Sequence, residues 1–178
     1  KIASKVISNR LKQILPEIIS EEQSAFVPGR MITNNIITAH ECLHFMKRNK
    51  PQRNRFCALG MMKASDRVEW EYLEAIMLKL GFSRNFVNLI MRWVTLVRFS
   101  VRVNGELQPY CTPTCGLRQG DPVSPFLFLL CAEGLTSLLN FYGGPNVDRG
   151  IRVSFRAPWV SHLLFADDSL LFFEATDV

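Results

Sequence analysis

The feature that most constrains the fold is an acidic pair set between two apolar runs in the last part of the sequence. Residues 163–165 read Leu-Leu-Phe, the pair is Asp167-Asp168, and residues 170–173 read Leu-Leu-Phe-Phe. Short apolar runs around a polar break are typical of two antiparallel strands joined by a tight turn. The sequence therefore predicts a hairpin that carries two adjacent carboxylates at its turn.

Two carboxylates at the tip of an apolar hairpin form a dense negative site that a divalent cation can neutralise. Mg²⁺ suits such a site because it takes one or two carboxylates and completes its coordination with water and substrate phosphate. That coordination points to phosphoryl transfer. The alternative is that Asp167 and Asp168 are ordinary turn residues, because aspartate favours turn geometry in any protein. These two residues alone leave both interpretations open.

Composition indicates a globular domain with a small excess of positive charge. The 178 residues fit one domain, and 48% hydrophobic with 21% charged residues exclude a disordered chain. The net charge of +5 points weakly to a polyanion. Five cysteines without a C-x-x-C pair predict reduced thiols in an intracellular protein, in the nucleus or the cytoplasm. We find no apolar run of about 18 residues, so we expect no membrane partner.

Hydrophobic spacing predicts a mixed set of helices and strands. Helices are expected over 2–15, 32–47, 69–80, 85–97 and 124–141, and strands over 56–59, 99–103, 106–110 and 151–155 besides the acidic hairpin. Asn104-Gly105 is a strong signal for a second hairpin. Strands separated by helices, with two hairpins, predict an α+β fold in which a small antiparallel sheet packs against helices.

Several details of these elements can be tested against a structure. Pro16 should end the first helix, and Gly81 should follow the third. In the second helix Ile32, Ile36, Ile37, Leu43 and Met46 should face inward. Ser124 is expected to cap the last helix. Arg30 precedes the second helix, where it could bind phosphate together with the helix end or be a surface loop residue.

Four motifs together resemble the reverse transcriptase of LINE-type non-LTR retrotransposons, particularly the plant lineages. They are residues 23–30 (Gln-Ser-Ala-Phe-Val-Pro-Gly-Arg), 63–70, 116–125 and 165–168, and they occur in the order and spacing of that family. The resemblance covers essentially the whole chain.

The resemblance implies the fingers and palm of a right-hand polymerase that copies RNA into DNA with two Mg²⁺ ions. RNA template and DNA primer would be its partners. Residues 1–54 would form part of the fingers and residues 55–178 the palm. An upstream fingers segment and a thumb would lie outside this sequence, so we expect a truncated copy of the family's domain.

The family's site residues can be carried onto matching positions of this sequence. Asp167 and Asp168 correspond to metal-binding catalytic carboxylates. Gln119 and Gly120 resemble the loop that lies against the incoming nucleotide and the templating pair, where glycine allows close approach of the backbone. Arg118 could contact nucleic-acid phosphates, as could Arg30.

Two positions depart from the family pattern. The family's third metal-binding aspartate falls on Gly60, which has no ligand atom, so we expect a polymerase that is inactive. Ser65 stands where the family has an aromatic residue beneath the nucleotide sugar, a bulky side chain that excludes a 2′-hydroxyl. Asp66 lies six residues beyond Gly60, past the end of the predicted strand, and could replace the lost ligand only if the backbone reorganised.

Three other functions remain open on the sequence. A working polymerase would show Mg²⁺-dependent primer extension. A catalytically silent nucleic-acid-binding remnant would bind RNA or DNA in a salt-sensitive way. A phosphoacceptor signalling domain would need alternating strands and helices with acids after an early strand, whereas Asp167 and Asp168 come late in the sequence.

Overall fold

Five α-helices and two small antiparallel sheets make up the residues that the computed structural model describes, which are 2–49, 54–142 and 150–174. In chain order the elements are α1 (Ile2–Ile18), α2 (Ile32–Asn49), β1 (Asn54–Gly60), a 3₁₀ turn (Ala64–Arg67), α3 (Trp70–Lys79), α4 (Arg84–Thr95), β2 (Arg102–Val103), β3 (Glu106–Leu107), α5 (Ser124–Tyr142), β4 (His162–Phe165) and β5 (Asp168–Glu174). The predicted α+β fold is confirmed.

The main sheet has three strands in the order β1-β5-β4, all antiparallel. The acidic hairpin is confirmed, because β4 and β5 pair with Phe165 opposite Asp168. On the other side of β5, β1 pairs with Gly60 opposite Asp168. Since paired residues of an antiparallel ladder share a face of the sheet, Gly60, Phe165 and Asp168 lie on the same face at one end.

The helical core is built around α5. Every residue from Phe126 to Glu133 is buried, and the helix packs against α1 and α3. The length and composition of α5 would suffice to cross a membrane, but its segment 126–132 is here part of a protein core. Burial on all sides explains why this segment is apolar all round rather than on one stripe. The end of the helix is exposed, with Phe141 78% and Tyr142 67% accessible.

The turn signals in the sequence predict the backbone correctly. Gly81 has φ of +90° after α3, and Phe82 N–H donates to the Met77 carbonyl at 3.1 Å, which is the hydrogen bond of a Schellman motif. Asn104 and Gly105 have φ of +50° and +90° and join β2 to β3, as predicted. Both of these strands are only two residues long, shorter than expected.

The predicted buried face of α2 is wrong in its first half. Ile32, Ile36 and Ile37 are 42%, 50% and 59% exposed, whereas Cys42 is 1% exposed. The second half of α2 packs on the sheet, where Cys42 contacts Phe172. The first half is joined to β4 through Asn35, whose Nδ2 donates to the Leu164 carbonyl at 2.8 Å. An open groove separates Ile32 and Ile36 from the sheet. Leu43 and Met46 are half-buried. Helical periodicity gives the direction of the apolar side chains but not how far the neighbouring sheet extends.

Other boundaries also differ from the sequence prediction. α1 continues past Pro16 to Ile18, because a proline near a helix end removes only one hydrogen bond. Residues 151–155 do not form a strand; Ile151 makes a single bridge with Val160. Ser124 does not cap α5 but is its first residue, and its hydroxyl donates to the Arg118 carbonyl at 2.7 Å.

One buried histidine makes the fold sensitive to pH. His162 on β4 is fully buried, with Nδ1 2.8 Å from Ser161 Oγ and Nε2 3.3 Å from Thr136 Oγ1 on α5. Burial lowers the pKa of His162 from its ordinary 6.5, and the nearby negative charge of Glu22 offsets this only in part. The native protein therefore keeps His162 neutral at a pH where the unfolded chain protonates it.

We predict that the free energy of unfolding falls as the pH drops through 6.5, the ordinary pKa of histidine, because the unfolded state then binds a proton that the native state does not. Urea titrations between about pH 7.5 and 5.5 test this, with His162→Gln expected to flatten the pH dependence. His40→Gln is the control, because His40 is exposed. An equal pH dependence for the parent and His162→Gln would contradict the prediction.

Candidate active site

The acidic hairpin turns at Ala166 and Asp167, between the ends of β4 and β5. Ala166 has φ of +53°, a left-handed conformation that is uncommon for residues other than glycine. Asp167 and Asp168 are both exposed, and the Asp167 carbonyl accepts a hydrogen bond from Met61 N–H at 3.3 Å. The turn is thus attached to the chain that leaves β1, and its carboxylates remain accessible.

Gly60 lies directly across from Asp168. A Cβ atom built on Gly60 would be 3.7 Å from Asp168 Oδ1, with no other heavy atom within 4 Å outside its chain neighbours. The φ of Gly60 is not in the left-handed region, so the backbone there accepts any L-residue. The geometry therefore has room for a side chain at position 60, and that side chain would start beside the Asp168 carboxylate.

A cavity of about 480 Å³ lies next to the hairpin. It brings together five residues that the sequence assigned to one site, which are Ser65, Arg118, Gln119, Gly120 and Asp167. Asp66, which the sequence offered only as a replacement ligand, also lines it, together with Lys63 and Phe26, to which the sequence assigned no role. Motifs more than 100 residues apart thus line one cavity.

Asp168 does not line that cavity. It lies with Gly60 along a separate apolar groove of about 350 Å³ between α2 and the sheet, next to Ile36 and Leu59. The two carboxylates of the hairpin therefore border different cavities. The sequence groups them as one pair because they are adjacent in the chain, but it does not show that Asp167 lies in the turn while Asp168 begins β5.

The loop 116–120 is held against the segment that follows β1. Gly116 N–H donates to the Val68 carbonyl and Leu117 N–H to the Ser65 carbonyl, both at 2.8 Å. A Cβ at Gly116 would be 2.7 Å from the Asp66 carbonyl oxygen, so this contact requires glycine. Gln119 Nε2 donates to Asp66 Oδ1 at 3.3 Å. These contacts place Gln119 and Ser65 in the same cavity.

Asp121 anchors this loop to two helices. Its carboxylate accepts hydrogen bonds from the Ser4 hydroxyl of α1, from Trp93 Nε1 of α4 at 3.1 Å and from Val123 N–H at 3.1 Å. Burial would raise the pKa of Asp121, but these three hydrogen bonds and the charge of Arg118 outweigh it and hold the pKa below its ordinary value. Sequence reasoning missed this residue, although an Asp-Pro before a long apolar helix was a usable signal.

Arg30 has partners other than a phosphate. Its guanidinium donates to the carbonyls of Ser20 at 2.6 Å, Ile19 at 2.7 Å and Gln23 at 2.8 Å, and it does not line the cavity. An arginine that binds carbonyls just past the end of a helix also stabilises the negative end of the helix dipole. The sequence left open whether Arg30 binds phosphate or is a surface loop residue. The contacts in the structure are with carbonyls of its own loop.

Among the described residues, the acidic pair has no third metal-ligating side chain beside it. Asp167 and Asp168 are exposed carboxylates, the type of ligand that Mg²⁺ takes together with water and substrate phosphate. Two ions about 3.5 to 4 Å apart need more carboxylate oxygens between them. Within residues 2–49, 54–142 and 150–174, no three Asp, Glu, His or Cys side chains lie close enough to hold a metal ion. Asp66 is not brought into a group with Asp167 and Asp168.

The fold is that of the fingers and palm of a polymerase. Two solved structures of apo telomerase from Candida tropicalis, one of them truncated from its C-terminal domain, superpose with TM-scores of 0.59 and 0.57 over 96% of this chain. This chain covers 34% of the truncated telomerase and 31% of the other. The identity is 12% in both, so the likeness concerns the fold.

The chain belongs to the reverse transcriptase family. The sequence profile of reverse transcriptase (RNA-dependent DNA polymerase) matches residues 1–178. The transposon TX1 uncharacterized 149 kDa protein of Xenopus laevis is 35% identical over 139 residues, which is 78% of this chain and 11% of that protein. An uncharacterized mitochondrial protein of Arabidopsis thaliana is 51% identical over 67 residues, 38% of this chain and 55% of that protein. The resemblance found in the sequence is confirmed.

We predict that Asp121→Asn destabilises the native state at neutral pH by about 1–3 kcal/mol, because an amide N–H would face one of the three donors. The cost should shrink as the pH falls below the ordinary carboxyl pKa of 3.8, because the lowered pKa of Asp121 confers stability that protonation removes. Urea unfolding at neutral and acid pH measures both effects. Glu106→Gln, at an exposed position, is the control. A cost for Asp121→Asn that does not change with pH would refute this account.

Proposed function

We propose that this chain forms the nucleotide cavity and part of the metal site of a reverse transcriptase from a LINE-type non-LTR retrotransposon, and that it does not polymerise as it stands. An RNA template and a DNA primer are the proposed partners, and Mg²⁺ the proposed cofactor. Membership of the reverse transcriptase family and similarity to a transposon protein support the class of reaction. The residues that line the cavity support the location of the site.

The side chains around the cavity support the proposal that it binds a nucleotide. Arg118 and Lys63 provide positive charge for phosphates, and Gln119 and Gly120 provide a polar side chain and a backbone without a Cβ. Gly120 has φ of +73°, and no heavy atom lies within 4 Å of the point that a Cβ would occupy, so the backbone is open to close approach. A nucleotide in this cavity could therefore contact the positive charges of Lys63 and Arg118 and the backbone of Gly120.

The observation that carries the proposed inactivity is the pairing of Gly60 with Asp168. In this proposal the missing third carboxylate would stand at position 60, where a Cβ would be 3.7 Å from Asp168 Oδ1. Bound Mg²⁺ would supply charge stabilisation during phosphoryl transfer. Each ~1.4 kcal/mol of lost transition-state stabilisation lowers the rate tenfold, so the absence of a ligand is expected to cost several powers of ten. Asp66 is already hydrogen-bonded to Gln119.

The first test restores the carboxylate. We expect the parent to show no Mg²⁺-dependent extension of a primed RNA template and Gly60→Asp to gain activity by roughly a hundredfold or more over background. Gly60→Asn is the matched control, because it has the same shape without the charge and should remain inactive. If the parent extends the primer, the chain does not need a carboxylate at position 60 and the proposed inactivity is wrong. If Gly60→Asp does not extend the primer either, the missing carboxylate does not explain the inactivity.

A second test concerns the sugar. Ser65 lines the cavity and is too small to exclude a 2′-hydroxyl, so a Gly60→Asp polymerase should incorporate ribonucleotides readily. Adding Ser65→Tyr should raise the preference for deoxynucleotides about tenfold or more, because bulk beneath the sugar rejects the extra oxygen. The ratio of kcat/KM for the two nucleotide types measures this, with Ser65→Ala as the control. An unchanged ratio in Ser65→Tyr would contradict the assignment of Ser65.

A second candidate function is nucleic-acid binding without catalysis, which the net charge of +5 favours. Binding that rests on phosphate contacts weakens steeply with salt, in proportion to the number of phosphates neutralised. If the parent binds primed RNA in this manner while it fails to extend it, the chain is a binding remnant. This outcome is compatible with the metal-site defect at Gly60.

A further inference from the structure

We infer that Gln23 is the positioning residue of the acidic hairpin: its buried amide fixes the turn at Ala166 and thereby the orientation of Asp167 and Asp168. The inference concerns the metal site of the proposed function and rests on it for its catalytic meaning. Its structural content is independent of that function. Gln23 lies 143 residues from Ala166 in sequence and makes no contact with solvent, being 1% exposed.

The Gln23 side chain bonds both backbone groups of one residue. Its Oε1 accepts from Ala166 N–H at 3.0 Å, and its Nε2 donates to the Ala166 carbonyl at 3.4 Å. The same Oε1 accepts from Ala25 N–H at 3.0 Å. Because two backbone N–H groups converge on this atom, it must be the oxygen, and the orientation of the amide is determined.

Ala166 is the residue of the turn that most needs such support. Its φ of +53° is a conformation that an alanine rarely adopts, since its Cβ crowds the backbone there. Ala166 immediately precedes Asp167 and Asp168, so a change in its backbone would redirect both carboxylates. A side chain that holds the N–H and the carbonyl of Ala166 together opposes such a change.

Gln23 is itself held rigidly at the edge of the sheet. Ser24 N–H donates to the Leu164 carbonyl at 3.1 Å, and Leu164 N–H donates to the Glu22 carbonyl at 2.8 Å, so the segment 22–24 continues the sheet beside β4. Arg30 donates to the Gln23 carbonyl at 2.8 Å. The backbone of Gln23 is therefore fixed by its hydrogen bonds, so its side chain can hold Ala166 in a defined position.

A double-mutant cycle between Gln23 and Ala166 tests the inference. Gln23→Met keeps the length of the side chain and removes its hydrogen bonds, while Ala166→Gly removes the Cβ that makes the turn unfavourable. If Gln23 acts by holding Ala166, then Gln23→Met should have a large effect with alanine at position 166 and a small one with glycine.

The first readout needs no metal. Amide hydrogen exchange at Ala166, followed by NMR in the full chain, should speed up about tenfold or more in Gln23→Met, because its N–H loses a buried acceptor. Ser24→Ala is the matched control: Ser24 is the adjacent buried residue, and its hydroxyl has no hydrogen-bond partner among the described residues. Unchanged exchange at Ala166 in Gln23→Met would overturn the inference.

The second readout is the affinity for Mn²⁺ in the Gly60→Asp background, measured by electron paramagnetic resonance. Removing a group that orients metal ligands lowers affinity by about 10- to 100-fold, and we expect Gln23→Met to do so. Ala166→Gly should recover most of that loss. A general loss of stability would not be recovered in this way, so equal effects of Gln23→Met on both backgrounds would also overturn the inference.

The two proposals fail separately. If Gly60→Asp binds no Mn²⁺ while exchange at Ala166 still depends on Gln23, the proposed metal site is wrong and Gln23 nevertheless positions the turn. If Gly60→Asp binds Mn²⁺ and Gln23→Met changes neither the affinity nor the exchange, the metal site stands and the positioning role is refuted.

Discussion

The site depends above all on the antiparallel pairing of β1 with β5. This ladder brings position 60 across from Asp168, more than 100 residues later in the chain. It also fixes where the chain leaves β1, so that the short turn holding Ser65 and Asp66 lies under the loop 116–120. A shift of one residue in this register would turn every side chain of β1 to the other face. The register therefore brings the segment that follows β1, and the loop 116–120 that contacts it, next to the acidic hairpin.

The segment between α1 and α2 is the second structural constraint. Side chains hold this segment in place, one from α5 and one from the segment itself. Buried Glu133 of α5 accepts from the N–H and hydroxyl of Ser20, and the guanidinium of Arg30 binds the carbonyls that end α1. These contacts satisfy groups that would otherwise be costly to bury. They connect the helical core to the hairpin through Gln23.

Position 60 can gain or lose a side chain without a change in the fold around it. The backbone there is ordinary, the space for a side chain is open, and the neighbours that would surround an aspartate are in place. A glycine at this exposed strand end does not disturb the core, because the buried residues lie in α1, α3, α4 and α5 and elsewhere on the sheet. The residues that determine the fold are therefore different from the residue at position 60.

The sequence by itself determined the α+β class, the acidic hairpin, the turns at Gly81 and Asn104-Gly105 and the family, because turn chemistry and short motifs act locally. It also located the glycine at position 60. Only the tertiary structure decided that the isoleucines in the first half of α2 are exposed, that Asp167 and Asp168 border different cavities and that Arg30 binds carbonyls just past the end of α1. The roles of Gln23 and Asp121 were likewise invisible, because their partners are distant in sequence. Periodicity predicts which way a side chain points, but burial and hydrogen bonding depend on what the rest of the chain brings to meet it.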